Sequence, residues 1–209
     1  MTDGDRESRV EGTSIGPEDI LEFWFGPPGS PPLARASKWY AKDEAFDREI
    51  RDRFQSTLEL AARGALDGWK ATPRGRLALV ILLDQMSRNM FRGTPRAFAQ
   101  DARACDAALE AIAAGDEQEL GPVMATFLYM PLMHAENVDL QHACVTAFER
   151  LAKIAPEDVR EYLEGGLKYA RLHADIIERF GRFPHRNEIL GRQSTPEEIE
   201  FLKQPNSSF

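Results

Sequence analysis

The sequence predicts an all-α protein, one compact domain built from antiparallel helical hairpins. Three observations predict it. Apolar residues recur at steps of three and four, as in Phe46, Ile50, Phe54 and Leu58. Pro, Gly, Asp and Thr mark helix starts and stops at short intervals. No stretch alternates apolar and polar residues as a half-buried strand would. Short loops between successive helices imply antiparallel neighbours, although no fixed internal repeat is present.

The elements follow in order. Pro17-Glu18-Asp19 is a first helical turn, with Pro at the opening position and acids facing the helix dipole. Ile20, Leu21, Phe23, Trp24 and Phe25 supply its apolar face, and Gly26-Pro27-Pro28 stops it. Asp43 caps the Phe46–Leu58 helix, which Gly64 ends. Pro73 opens a third helix that is apolar on nearly all sides from Leu77 to Leu83, hence central. It turns polar at Asp84-Gln85. Thr94-Pro95 opens a fourth helix through Ile112, closed by Gly115. Pro122 begins another apolar segment, and Pro131 should kink or end it. Asp139 is expected to cap a helix to Lys153, and Pro156-Glu157-Asp158 to open a long one to about Arg179. Thr195-Pro196-Glu197-Glu198 is a capping box for a last short helix.

Composition bounds the function. A chain of 209 residues suits one domain, here residues 14–203, with a disordered tail at 1–13 and a short one at 204–209. It is 43% apolar and 29% charged, as in ordinary globular proteins. Its net charge of −8 argues against nucleic acid and anionic membranes as partners. The longest apolar run, Leu77 to Leu83, is far short of the roughly 20 residues of a membrane span. Met1 to Gly12 is charged and carries no apolar signal segment. Cys105 and Cys144 stand alone, which fits a reducing, cytoplasmic setting.

Three constellations stand out. The first is basic. Arg88, Arg92 and Arg96 lie in an acid-free stretch, and Arg179, Arg182, Arg186 and Arg192 in one whose only acid is Glu188. Guanidinium forks suit carboxylates and phosphates, so converging islands would make an anion pocket. The competing reading is that Asp84, Asp101, Glu136 and Asp175 neutralise these cations and tie helices to loops. The second constellation is Asp84-Gln85 with Arg88-Asn89 and Arg92, where Asp84 and Arg88 are one helical turn apart. The third is His134-Ala135-Glu136, a candidate acid–base pair. His173, on an otherwise apolar face, reads as a hydrogen-bonded core residue. No zinc or phosphate-loop motif is present, and no metal ligand set is assigned.

Four separated segments resemble the bacterial family catalogued as domain of unknown function 924. They are Ile20–Gly26, Leu83–Thr94, Pro131–Glu136 with Gln141, and Phe180–Arg192 with the Thr195 capping box. The resemblance covers about residues 15–203. It implies an all-α fold like a tetratricopeptide superhelix, and no established activity. The chain departs from the family at Met86-Ser87, where Phe-Pro is frequent, and at Ala135-Glu136-Asn137, where Ser-Glu-Asp is common.

Together these features lead to an expected Arg-rich pocket for an anionic small molecule, formed by Asp84, Arg88, Asn89, Arg92, Arg182, His185, Arg186, Asn187 and Arg192. His134 and Glu136 are the candidate catalytic groups, with the cofactor, any reaction and homo-oligomerisation left open. The alternatives are a helical module holding an acidic peptide, and motifs that only specify the fold.

Overall fold

The computed structural model describes residues 15–205, 207 and 208, so the tail expected at 1–13 lies outside the described residues. Those residues form helices and turns, with no strand among them.

Helix α1, Pro17–Phe25, starts where the Asp19 carboxylate accepts from the Gly16 N–H at 2.7 Å. It stops at Gly26, whose φ of 99° lies outside the region that side-chain-bearing residues favour. A short turn, Ala36–Trp39, follows and is pinned by Trp39 donating to the Trp24 carbonyl at 2.8 Å. Helix α2, Glu44–Ala62, has the expected Asp43 cap, which accepts from Ala45 and Phe46 N–H. Helix α3, Pro73–Ile81, is capped by Thr72 and is mostly buried. It continues through a wide π-turn, Leu82–Met86, into a final α-turn, Ser87–Met90.

The fourth helix differs from expectation. Pro95–Phe98 is a separate 3₁₀ turn, and α4 spans Asp101–Ala114. The Thr94 hydroxyl donates back to the Phe91 carbonyl at 2.8 Å, so it supplies no cap to the turn that follows. Helix α5, Pro122–His134, runs one short turn past Pro131. Helix α6, Val138–Lys153, is capped by Asn137, whose side chain accepts from Leu140 N–H at 3.1 Å; Asp139 falls inside the first turn. A 3₁₀ turn, Glu157–Val159, precedes α7, Arg160–Phe180, which ends at Gly181 in the left-handed region. Helix α8, Pro196–Phe201, has the predicted reciprocal box between Thr195 and Glu198.

Helix α3 is central, as its uniform apolarity requires, and packs on α1, α4 and α5. Helices α5, α6 and α7 pack in sequence, and α7 also reaches α5. The main core joins α1 to α5 through edge-on contacts of Trp24, Phe25 and Trp39 with Phe127. Such aromatic pairs add about 0.5–1.5 kcal/mol beyond their area. A smaller cluster of Ile176, Ile177 and Phe183, joined by Phe180 and Phe201, packs the end of α7 beneath the loop that follows. No helix among the described residues is long and apolar enough to cross a membrane.

Candidate functional site

The π-turn at the end of α3 holds the first side chain of the site. A π-turn inserts one extra residue into the helical repeat, and such insertions are frequent at functional positions. Asp84 lies in it and is fully buried. Gln85 donates to Asp84 Oδ2 at 2.5 Å, Arg88 Nη1 meets Oδ1 at 2.9 Å, and His134 Nδ1 lies 2.7 Å from the same oxygen. Burial pushes the Asp84 carboxyl upward, but Arg88 and His134 outweigh it and hold it well below the usual carboxylate range. Asp84 is therefore an anion that orients both neighbours.

Arg88 extends the network. Both of its terminal nitrogens reach Asp101 at the start of α4, at 2.9 and 3.0 Å. Asp101 in turn accepts from Arg186 Nη1 at 3.3 Å. The Arg186 guanidinium lies between two rings, 4.7 Å from the Phe98 centroid and 4.5 Å from that of Phe183. Its side chain is only 7% exposed, and Nε is buried without a hydrogen-bond partner. Burial and the nearby Arg88 charge push its pKa down to about 10.

Three histidines adjoin this chain. Burial lowers the His134 pKa, with Arg88 adding to the effect against the pull of Asp84. His173 is pushed down to about 3 and His185 to about 4, again chiefly by burial. The His134 and His173 rings are 6.2 Å apart, and both His173 and His185 lie against Phe183. His173 Nδ1 bonds the Tyr169 carbonyl at 2.8 Å, as the core reading of that residue expected.

The remaining expected residues occupy two other places. Asn89 and Arg92 turn to Asp47 on α2, Asn89 at 2.7 Å and Arg92 as a two-pronged fork at 2.8 and 3.0 Å. Arg182 forks onto Glu198 at 2.6 and 2.8 Å. Asn187 donates to Ser194 and to Glu198, and its Oδ1 accepts from Arg192 Nε. Arg192 also forks onto Glu136, which accepts the Phe183 N–H at 2.8 Å as well. Burial pushes the Glu136 carboxyl up, but its bonds to Arg192 and Phe183 lower it overall. Glu136 thus clamps the 181–195 loop, while His134, two residues away, takes Asp84 as its partner.

Asp47 and Phe98 belong to these networks without having been singled out in the sequence, and Glu198 was read there only as part of a helix cap. Asp47 left a signal, since it sits three residues before Ile50 on the buried stripe of α2. Asp175, one of the four acids expected to pair, is exposed. Gln141 supports the far side of the site. Its amide donates to the carbonyls of Leu132, Met133 and Ala135, closing the frayed end of α5 beside His134. Among the described residues, no group of three or more His, Cys, Asp or Glu side chains is arranged to hold a metal ion.

Fold and site define an all-helical protein whose partly buried Asp84–Arg88–Asp101–Arg186 chain joins the end of α3 to the loop after α7. The chain belongs to the family of bacterial proteins of unknown function DUF924, whose model matches residues 20–206. It is similar to a solved structure of the protein of unknown function ATU0120 from Agrobacterium tumefaciens, with 40% identity and a TM-score of 0.76. That match covers 90% of this chain and 96% of the other. No curated protein matches the chain.

Proposed function

We propose that this protein binds the carboxylate or phosphate group of a small molecule at Arg186, with Arg88 as the second cation and His134 as the neighbouring proton carrier. The observation that carries the reading is the condition of Arg186. A buried guanidinium normally has its N–H groups bonded, because an unmet charged donor costs more than a neutral one. Here one long contact to Asp101 and a partnerless Nε leave that demand unmet. An oxyanion accepting from Nε and a terminal nitrogen would meet it with two charge-assisted bonds. The flanking Phe98 and Phe183 rings hold the guanidinium plane in place beforehand, which lowers the ordering cost of binding.

Charge balance adds a condition. Arg88 and Arg186 are offset by Asp84 and Asp101. A bound anion therefore needs a compensating proton, and the neutral imidazole of His134, oriented by Asp84, is positioned to take it. Burial lowers the His134 pKa from its ordinary 6.5, so such a ligand binds more tightly at a pH below 6.5 than at one well above it. The same imidazole can give or take a proton in a reaction on the bound molecule. The unbridged thiols of Cys105 and Cys144 fit the cytoplasm as the setting for this activity.

The other basic residues favour a second role. Arg92, Arg182 and Arg192 each have a two-pronged carboxylate partner, so their forks fasten loops to helices. Calorimetric titration with inorganic phosphate, acetate and malonate at a pH below 6.5 and at one well above it tests the reading. Arg186→Met should abolish binding, while Arg171→Ala, at an exposed pair with Glu149, should leave it unchanged. Equal binding by Arg186→Met, or no binding of any of the three anions, would overturn it.

A further inference from the structure

A cleft lined by the end of α1 and the start of α5 lies apart from the polar network and shares no residue with it. It has a volume of about 620 Å³, within the roughly 300–1,000 Å³ range of small-molecule sites. One wall is the end of α1 and the loop after it, where Phe25 is followed by Pro27, Pro28, Pro31 and Pro32. The opposite wall is the start of α5, with Val123 and Met124, closed by Pro156 and Val159 before α7. Proline fixes its own φ, so this wall is stiff and loses little freedom when a ligand packs against it.

The rim determines what kind of ligand fits. Its charged side chains are Glu18, Glu22, Asp158 and Arg74. Arg74 is already bound by Glu18 through two hydrogen bonds, at 2.8 and 2.6 Å. Glu22 also lies within the field of Arg74, and Asp158 has no side-chain partner among the described residues, so three carboxylates share one guanidinium and the rim carries an excess of negative charge. The net charge of −8 adds to the attraction for a cation.

We infer that this cleft binds a small organic cation, with the proline-lined wall receiving its apolar body and Glu22 and Asp158 receiving its ammonium group. An apolar neutral molecule would fill the volume without using the excess negative charge of the rim. A small anion would meet that charge directly.

Titration of the full chain with phenethylamine and its neutral counterpart 2-phenylethanol, followed by amide chemical shifts, tests this. The amine should shift residues of the 25–32 loop and the start of α5, and should bind more tightly than the alcohol. The double variant Glu22→Gln/Asp158→Asn removes two exposed charges and should weaken amine binding between about twofold and thirtyfold. Met124→Trp, which fills the cleft, should weaken amine and alcohol alike. Arg186→Met should leave amine binding intact, which separates this site from the anion site. Equal affinity for amine and alcohol, unchanged amine binding in the double variant, or no shifts at the cleft up to about 10 mM amine would overturn the proposal.

Discussion

His134 Nδ1 lies 2.7 Å from Asp84 Oδ1, joining the last residue of α5 to the π-turn that ends the central helix. The same carboxylate oxygen is 2.9 Å from Arg88. A single buried anion therefore holds a guanidinium and an imidazole from two helices, and the behaviour of Asp84 follows from that position.

Replacing Asp84 with Ala leaves Arg88 with Asp101 as its one carboxylate partner, beside the residue-84 carbonyl, and removes the His134 side-chain partner. Removing one partner of a buried pair costs about 3–5 kcal/mol. Chemical denaturation should show a loss of that size, against less than about 0.5 kcal/mol for Asp139→Ala on the exposed first turn of α6. A loss below about 1 kcal/mol for Asp84→Ala would mean that solvent reaches the carboxylate.

The histidines set the acid limit of stability. His173 and His185 have folded pKa values of about 3 and about 4, below their ordinary 6.5. Between these values the unfolded chain takes up protons that the folded chain refuses. Stability is therefore full above pH 6.5 and falls as pH drops toward 4, by up to about 1.4 kcal/mol per pH unit for each histidine. Glu198, held at about 2 chiefly by its bond from Arg182, contributes only at lower pH. Denaturation midpoints measured at intervals from neutral pH downward should decline before the carboxylates titrate. His173→Phe should flatten part of that decline, and a flat profile down to the carboxylate range would contradict the burial of these rings.

Thr195→Ala removes the hydroxyl that accepts the Glu198 N–H at 3.2 Å. The expected cost is about 1 kcal/mol. Hydrogen exchange should locate the change, with faster exchange at Glu198 and Ile199 and unchanged protection in α3. Uniform acceleration throughout the chain would instead make α8 part of the global folding unit.

Gly75→Ala would ordinarily stabilise a helix by about 1 kcal/mol. In α3 the added Cβ would sit 2.0 Å from the Trp69 carbonyl oxygen, and backbone would have to move. Overpacking of this kind costs about 1–3 kcal/mol, so the net effect should be destabilising. A raised melting temperature would show that the 67–71 turn yields easily.

Much of the fold was legible in the chain. The caps at Asp43 and Thr195 are local arrangements, because donor and acceptor lie within three residues and geometry follows from spacing. The centrality of α3 was readable because a helix apolar on all sides must be enclosed. The Asp84–Arg88 pairing was readable too and survives the π-turn. The break between Pro95–Phe98 and α4 was not, since it depends on the Thr94 hydroxyl turning back to Phe91.

The polar residues were readable as a list, but neither their partners nor their grouping was: Asn89 and Arg92, and Arg182, Asn187 and Arg192, lie in networks apart from Asp84, Arg88 and Arg186. Sequence by itself determined the all-helical class, the helix caps, the two Arg islands and the polar end of the central helix, because these follow from spacing along one chain. Only tertiary structure decided that Asp84 takes His134, that Glu136 takes Arg192, that Asn89 and Arg92 go to Asp47, and that Arg186 lies between Phe98 and Phe183. Several acids compete for each cation, and all have the same chemistry. Which pair forms depends on the distances set when α2, α4, α5 and the loop after α7 pack around α3.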